Sequence, residues 1–307
     1  MSQSQLKQTD FEPIHYEQSD AERIAGKSTS YWKDAWRRFK QNKLAIAGIV
    51  IIALLGIMSF IGSPLSGHNY FDNDLINSNQ SPSGEHWFGT DNLGRDIFAR
   101  TWYGAKISLF IGLTAAFIDL IIGVIWGAVS GYVGGRVDEY MMRIADILSG
   151  VPYLLVVILL MVIMKPGLWT LIIAMTITGW INMARIVRGE VLRLKNEEYV
   201  MAARSLGANG YRILSKHLIP NTLGPILVTL TLTVPNAIFT EAFLSFLGLG
   251  VPAPRASWGT MSADALQSFL YYPFQLFFPA FFICLTMLAF NVVGDGLRDA
   301  FDPKDRR

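Results

Sequence analysis

Asn196-Glu-Glu-Tyr-Val-Met-Ala-Ala-Arg-Ser-Leu-Gly-Ala-Asn-Gly-Tyr-Arg-Ile-Leu-Ser-Lys-His-Leu-Ile-Pro220 is a charged, polar interruption between two long apolar runs. The runs, 168–186 and 223–247, each approach the roughly 20 apolar residues that cross a bilayer as helix. Within the interruption, Asn196 suits an N-cap, Glu197 and Glu198 suit the positive end of a helix, and Gly207 is a natural stop. Asn209 is placed to cap a second short helix over 210–218, with Pro220 opening the next element. Ala202, Ala203 and Gly207 leave little bulk at the turn, so another protein can approach closely. The stretch reads as a helical hairpin held at a membrane surface. A capped hairpin with no partner is the plainer alternative.

The remaining composition fits a membrane protein. Of 307 residues, 51% are hydrophobic and 16% charged, a balance too apolar for an ordinary soluble domain. Six apolar runs are expected to span: 44–62, 107–130, 147–164, 168–186, 223–247 and 274–293. Gly134-Gly135-Arg136, within 131–143, reads as a short turn, Lys165-Pro166-Gly167 as a tight one, and Pro235 as a kink in the fifth span. A net charge of +2 is too small to imply nucleic acid. The single cysteine, Cys284, excludes an intrachain disulfide.

Residues 1–30 read as a polar tail without the apolar segment of a cleaved signal peptide. Over 31–43, Trp32, Ala35, Trp36 and Phe39 fall on one helical face and Lys33, Arg37 and Lys40 on the other. That pattern describes an interfacial helix, with aromatics at headgroup level. Basic residues then set the orientation. With six spans, one side receives Lys33, Arg37, Arg38, Lys40, Lys43, Arg136 and Arg143, the cluster from Arg185 to Lys216, and Arg298. The other receives Arg95, Arg100, Lys165 and Arg255. Both termini and the organising loop are therefore expected in the cytoplasm.

No phosphate-binding Gly-x-x-x-x-Gly-Lys-Ser/Thr run occurs. His15, His68, His86 and His217 are scattered, without metal-ligand spacing. No catalytic residue, metal ligand or cofactor of the chain's own is expected. An energy source would come from a partner, through the basic loop. Asp119, deep in the second run, is a cavity-lining group on a path, or else an interhelical hydrogen-bonding partner. Asn182 is a further polar residue within a span. Glu241, toward the end of the fifth run, suits packing or a gate better than a proton relay. A carrier or channel acting alone would use Asp119 and Glu241, but no inverted repeat is evident. A membrane anchor without transport would not need Asp119, Asn182 or Thr231.

The spacing Ala202-Ala203, three residues, Gly207, nine residues, then His217-Leu218-Ile219-Pro220 resembles the "EAA" loop of ABC importer permeases. Met201 stands where that pattern has Glu, and His-Leu-Ile-Pro where it has Ile-x-Leu-Pro. Phe88-Gly-Thr-Asp-Asn-Leu-Gly-Arg-Asp96 resembles the external segment of the oligopeptide, dipeptide and nickel permease group. Glu241 to Pro252 with Ser257-Trp-Gly259, and Asn291 to Pro303, resemble further segments of that group. The polar tail, single N-terminal helix and short chain resemble its C-type rather than its B-type subunit.

The resemblance implies an all-α membrane protein of the type I ABC importer permease fold, with six transmembrane helices and an N-terminal interfacial helix. It divides the chain into a cytoplasmic tail (1–30), an interfacial helix, first span and external loop (31–103), a permease core (104–296) and a C-terminal tail (297–307). It implies docking through Glu198, Ala202, Ala203, Gly207, Leu218 and Pro220, and an external loop marked by Asp91, Arg95 and Asp96. Those three suit local ion pairing better than cargo contact. The implied partners are a second, B-type permease, two cytoplasmic ATPases that hold ATP and magnesium, an external solute-binding protein and the lipid bilayer of a bacterial cell membrane. Peptide is the expected cargo, with nickel or another small solute as the alternative.

Overall fold

A computed structural model describes residues 31–301, and every described regular element is helical. Helix α1 is Tyr31–Gln41, α2 Lys43–Leu65, α3 Ile97–Val133, α4 Gly135–Gly150 and α5 Tyr153–Met164. Then follow α6 Leu168–Leu194, α7 Glu198–Ser205, α8 Gly210–Ile213, α9 Ile219–Leu244, α10 Trp258–Ala265 and α11 Phe274–Phe301. Two π-helical turns, Leu214–Leu218 and Ser245–Leu249, continue α8 into α9 and extend α9. The expected tail 1–30 lies outside the described residues, as do 302–307. The expected divisions near 103 and 296 fall inside α3 and α11, so helices rather than linkers cross them.

Five helical stretches among the described residues are long and apolar enough to cross a membrane, and a bent pair makes six when it is counted as one broken span. That pair corrects the expected third span. α4 and α5 meet at Val151-Pro152 with a bend of 81°, and only the twelve residues of α5 remain wholly apolar. Proline lacks the amide hydrogen and pushes the preceding residue out of helical geometry, as Val151 shows at φ −80° and ψ 129°. The stretch 131–143 is likewise no turn: only Gly134, at φ 69°, separates two helices. α9 runs through Pro225 and Pro235 as continuous helix.

α3 is the central helix, lying against α2, α6 and α9. Its closest partner is α6, because Gly123, Gly127 and Gly131 recur every fourth residue and present backbone to that helix. A Cβ at Gly131 would sit 2.9 Å from the Arg188 carbonyl, and one at Gly127 would overlap the Ala184 carbonyl. On its other side, Trp102, Leu109 and Ala116 join Leu55, Val234, Trp258 and Phe282 in one core. Leu54, Phe60, Leu159, Val162 and Phe277 stay exposed on the outer helices, as side chains facing lipid would.

α1 departs from a helix lying free on a membrane. Ala35 and Phe39 are buried, and Phe39 packs with Ala45, Val293 and Ala300 at the end of α11. Trp36 and the cations Lys33, Arg37 and Lys40 remain exposed. Asn42 then caps α2, accepting from Leu44 N and Ala45 N at 3.1 Å.

Candidate functional site

The organising stretch folds as a hairpin, with two corrections. Glu197, not Asn196, is the residue before α7, and its side chain makes no cap. The second helix does not stop before Pro220; the π turn carries it directly into α9, with Pro220 in the first turn where its missing amide costs nothing. Asn209 does cap α8, accepting from Arg212 N at 2.9 Å.

Between the two helices, Gly207 takes φ +83°. Its N–H donates to Arg204 O and the Ala208 N–H to Ala203 O, both at 3.0 Å, which together form a Schellman close. A side chain there would meet no neighbour within 4 Å, so backbone conformation rather than space demands glycine.

Val200, Ile213 and Leu218 anchor the hairpin in a core with Met183, Val187, Val191 and Ile226. Leu218 therefore faces inward. Glu198, Ala202 and Gly207 are exposed, while Ala203 and Pro220 are half-buried. Ala203, Leu206, Gly207, Asn209, Arg212 and His217 surround an open cavity of about 370 Å³. Beside it Leu206 and Tyr211 are 89% and 80% exposed, an apolar display that a solvated hairpin has no use for.

Below the hairpin, Asp138 on α4 accepts two 2.6 Å hydrogen bonds from Arg188 on α6 and one from Ser130 on α3. Lys195 Nζ donates to the Gly131 carbonyl at 2.9 Å, closing the end of α3. From composition alone, Arg188 and Lys195 are only charges that orient the chain. The acid one turn into α4 was hidden by reading that segment as a loop.

A second cavity, about 270 Å³, opens between α3, α5, α6 and α9. Asp119, Tyr153, Thr178, Asn182, Asn236 and Thr240 are among its lining residues. Thr233, Asn236 and Thr240 follow helical spacing on α9, as do Thr178 and Asn182 on α6, so the polar groups form stripes. Asn182 and Asn236 are exposed in the middle of spans, which suits water or protein beside them rather than hydrocarbon. Asp119 and Asn182 thus come together at one cavity.

Glu241 does not join them. It is 0% exposed, and its oxygens accept from Ser245 Oγ at 2.8 Å, Ser257 Oγ at 2.7 Å and Ser108 Oγ at 3.2 Å. Trp258 N in turn donates to Ser108 Oγ at 3.1 Å. Glu241 is not among the residues lining that cavity; it fastens α3, α9 and α10 together.

Asp91, Arg95 and Asp96 lie at the start of α3, far along that helix from the hairpin. Arg95 Nε donates to Asp91 at 2.7 Å, and Arg100 Nε approaches the same oxygen at 3.4 Å. Asp264 faces both arginines at 3.6 and 3.8 Å. Burial raises the Asp264 carboxyl, and Arg100 and Arg95 oppose that shift. Asp96 caps α3 through Ala99 N at 2.7 Å and pairs with His86 Nδ1 at 2.9 Å. The His68 ring lies tilted beside that of His86, with centroids 4.6 Å apart, although the two are 18 residues apart in sequence. These residues shape the loop by local pairing.

The model for binding-protein-dependent transport system inner membrane components matches residues 121–307. The model for the N-terminal TM domain of oligopeptide transport permease C matches residues 30–82. The oligopeptide transport system permease protein OppC of Bacillus subtilis (strain 168) is 64% identical over 297 residues, covering 97% of each chain. The dipeptide transport system permease protein DppC of the same organism is 60% identical over 289 residues, covering 94% of this chain and 90% of that one. Among solved structures, an inward-facing MetNI methionine ABC transporter aligns over 65% of this chain and 94% of its own, at 18% identity and a TM-score of 0.54. That likeness extends to the fold, the type I ABC importer permease fold. The chain belongs to the inner membrane components of binding-protein-dependent transport systems, in the branch carrying the N-terminal domain of oligopeptide transport permease C.

Proposed function

We propose that this chain forms half of the pore of a bacterial peptide importer, with both ends of the chain in the cytoplasm. A homologous B-type permease completes the pore across the polar cavity. Two cytoplasmic ATPases hold the ATP and magnesium and dock on the α7–α8 hairpin, using Glu198, Ala202, Ala203 and Gly207 around the exposed Leu206. Leu218, buried, and Pro220, half-buried, serve from beneath as the root of the hairpin. An external solute-binding protein delivers oligopeptides or dipeptides at the opposite end. The chain itself carries out no chemical step.

One observation carries the reading: the helix that leaves the hairpin at Gly210 places Arg212 and His217 on the cavity beside the docking residues, and runs on without a break into the α9 stripe of the polar cavity. Closure of the ATPases moves Gly210–Leu218, and the continuous backbone passes that motion to Thr233, Asn236 and Thr240. Such closure shifts the pore only as far as the ATPases bind its two states differently. Purification of the tagged chain from its native membrane in mild detergent, followed by mass spectrometry, tests the assembly. A second permease and two ATPases are expected to co-elute. A homomer without either would overturn the proposal and favour a carrier acting alone.

A further inference from the structure

The polar cavity contains a group that the fold leaves unused. Asp119 is 5% exposed, yet its Oδ1 has no hydrogen-bond partner among the described residues. An ionised carboxylate at this depth in a span is costly unless something answers its charge. The helix packing nevertheless makes room for it: a Cβ at Gly179 would overlap Asp119 Oδ2. The Tyr153 hydroxyl, on the same cavity, is also buried and without a partner. No lysine, arginine or histidine lines the space, and no second carboxylate, cysteine or histidine is there to share a metal ion. Thr178, Asn182, Asn236 and Thr240 supply neutral donors and acceptors around it. The cavity therefore lacks one thing, a cation bearing hydrogen-bond donors.

We propose that Asp119 receives the α-ammonium group of the peptide in transit, with the Tyr153 hydroxyl as a further acceptor. The inference rests on the peptide-importer reading and names the part of the cargo that the cavity holds. Peptide side chains vary in charge and size, whereas a free peptide always presents one terminal ammonium. A single carboxylate among neutral amides and hydroxyls matches that constant feature, and it leaves side chains without a specific counterpart.

The test is a cycle between protein and cargo, run on the complex reconstituted in proteoliposomes with its binding protein saturated. The cargo is one tripeptide, either with a free amine or N-acetylated, and initial entry rates are compared for wild type and Asp119→Asn. The substitution is expected to lower entry of the free-amine peptide about tenfold and to leave the acetylated peptide unchanged. Any effect of acetylation on the binding protein enters both proteins equally and cancels. Asp119→Ser, which removes the carboxylate in a smaller side chain, is expected to give the same pattern. Equal losses for both peptides would overturn the inference in favour of a structural role, and no loss for either would overturn it outright. A wild-type complex that carries neither peptide would overturn the importer reading, and this inference with it.

Discussion

Arg188 on α6 and Asp138 on α4, 50 residues apart in sequence, form a two-pronged ion pair with both nitrogen–oxygen distances at 2.6 Å. The pair lies just beneath the hairpin and fixes α4 to α6, while Ser130 adds α3 to the same carboxylate. Losing one partner leaves the other charge without its mate. Asp138→Asn is expected to cost about 1.5–3 kcal/mol, the range for hydrogen bonds to charged groups. Arg188 is about a third exposed, which holds the effect toward the lower end. Thermal unfolding in detergent measures it. Arg188→Met combined with Asp138→Asn is expected to cost less than the sum of the two single changes.

Glu241 offers a contrast, because it is sealed and holds three hydroxyl groups. Glu241→Ala strands those hydroxyls and opens a cavity, at an expected loss of about 3 kcal/mol or more. Glu241→Gln keeps an acceptor in place and is expected to lose less. Neither substitution is expected to change which peptides enter, once the amount of folded protein is matched. Melting curves and competition uptake assays check the two halves of this statement.

The glycines facing α6 separate packing from flexibility. Gly127→Ala drives a methyl group into the Ala184 carbonyl and is expected to destabilise by about 1–3 kcal/mol. Gly189→Ala, on α6 itself, meets nothing within 4 Å. It is expected to gain about 0.5–1 kcal/mol, since alanine favours helix over glycine. Opposite signs in one melting experiment would establish the close crossing of α3 and α6.

Within this chain, backbone conformation rather than space requires Gly207. Gly207→Ala is expected to cost about 1–2 kcal/mol locally, because its φ of +83° lies where a Cβ is strained. Gly207→Asn is expected to cost less, as asparagine tolerates that region. Proteolysis at 206–210, compared among the three proteins, reads the loosening of the turn.

Much of this was legible in the chain itself. Apolar run length located α2, α3, α6, α9 and α11, and Gly207 and Asn209 marked the hairpin turn by the conformation and capping they favour. The bend at Val151-Pro152 was also marked, by the proline, but the apolar run on either side masked it. What stayed hidden depends on contacts distant in sequence. Nothing near Glu241 announces Ser108 or Ser257, and nothing near Asp138 announces Arg188. The continuity of α8 with α9 was missed for another reason. Pro220 reads as a start signal, yet in the first turn of α9 a proline is tolerated without a break.

Leu206, the most exposed large apolar residue of the hairpin, decides whether this surface couples the pore to its ATPases. The measurement is peptide uptake by cells carrying Leu206→Asp, together with mass spectrometry of the purified tagged protein. Membrane insertion and recovery of the second permease are expected to match wild type, while ATPase recovery and uptake each fall more than tenfold. Normal uptake with both ATPases still bound would contradict coupling through the hairpin.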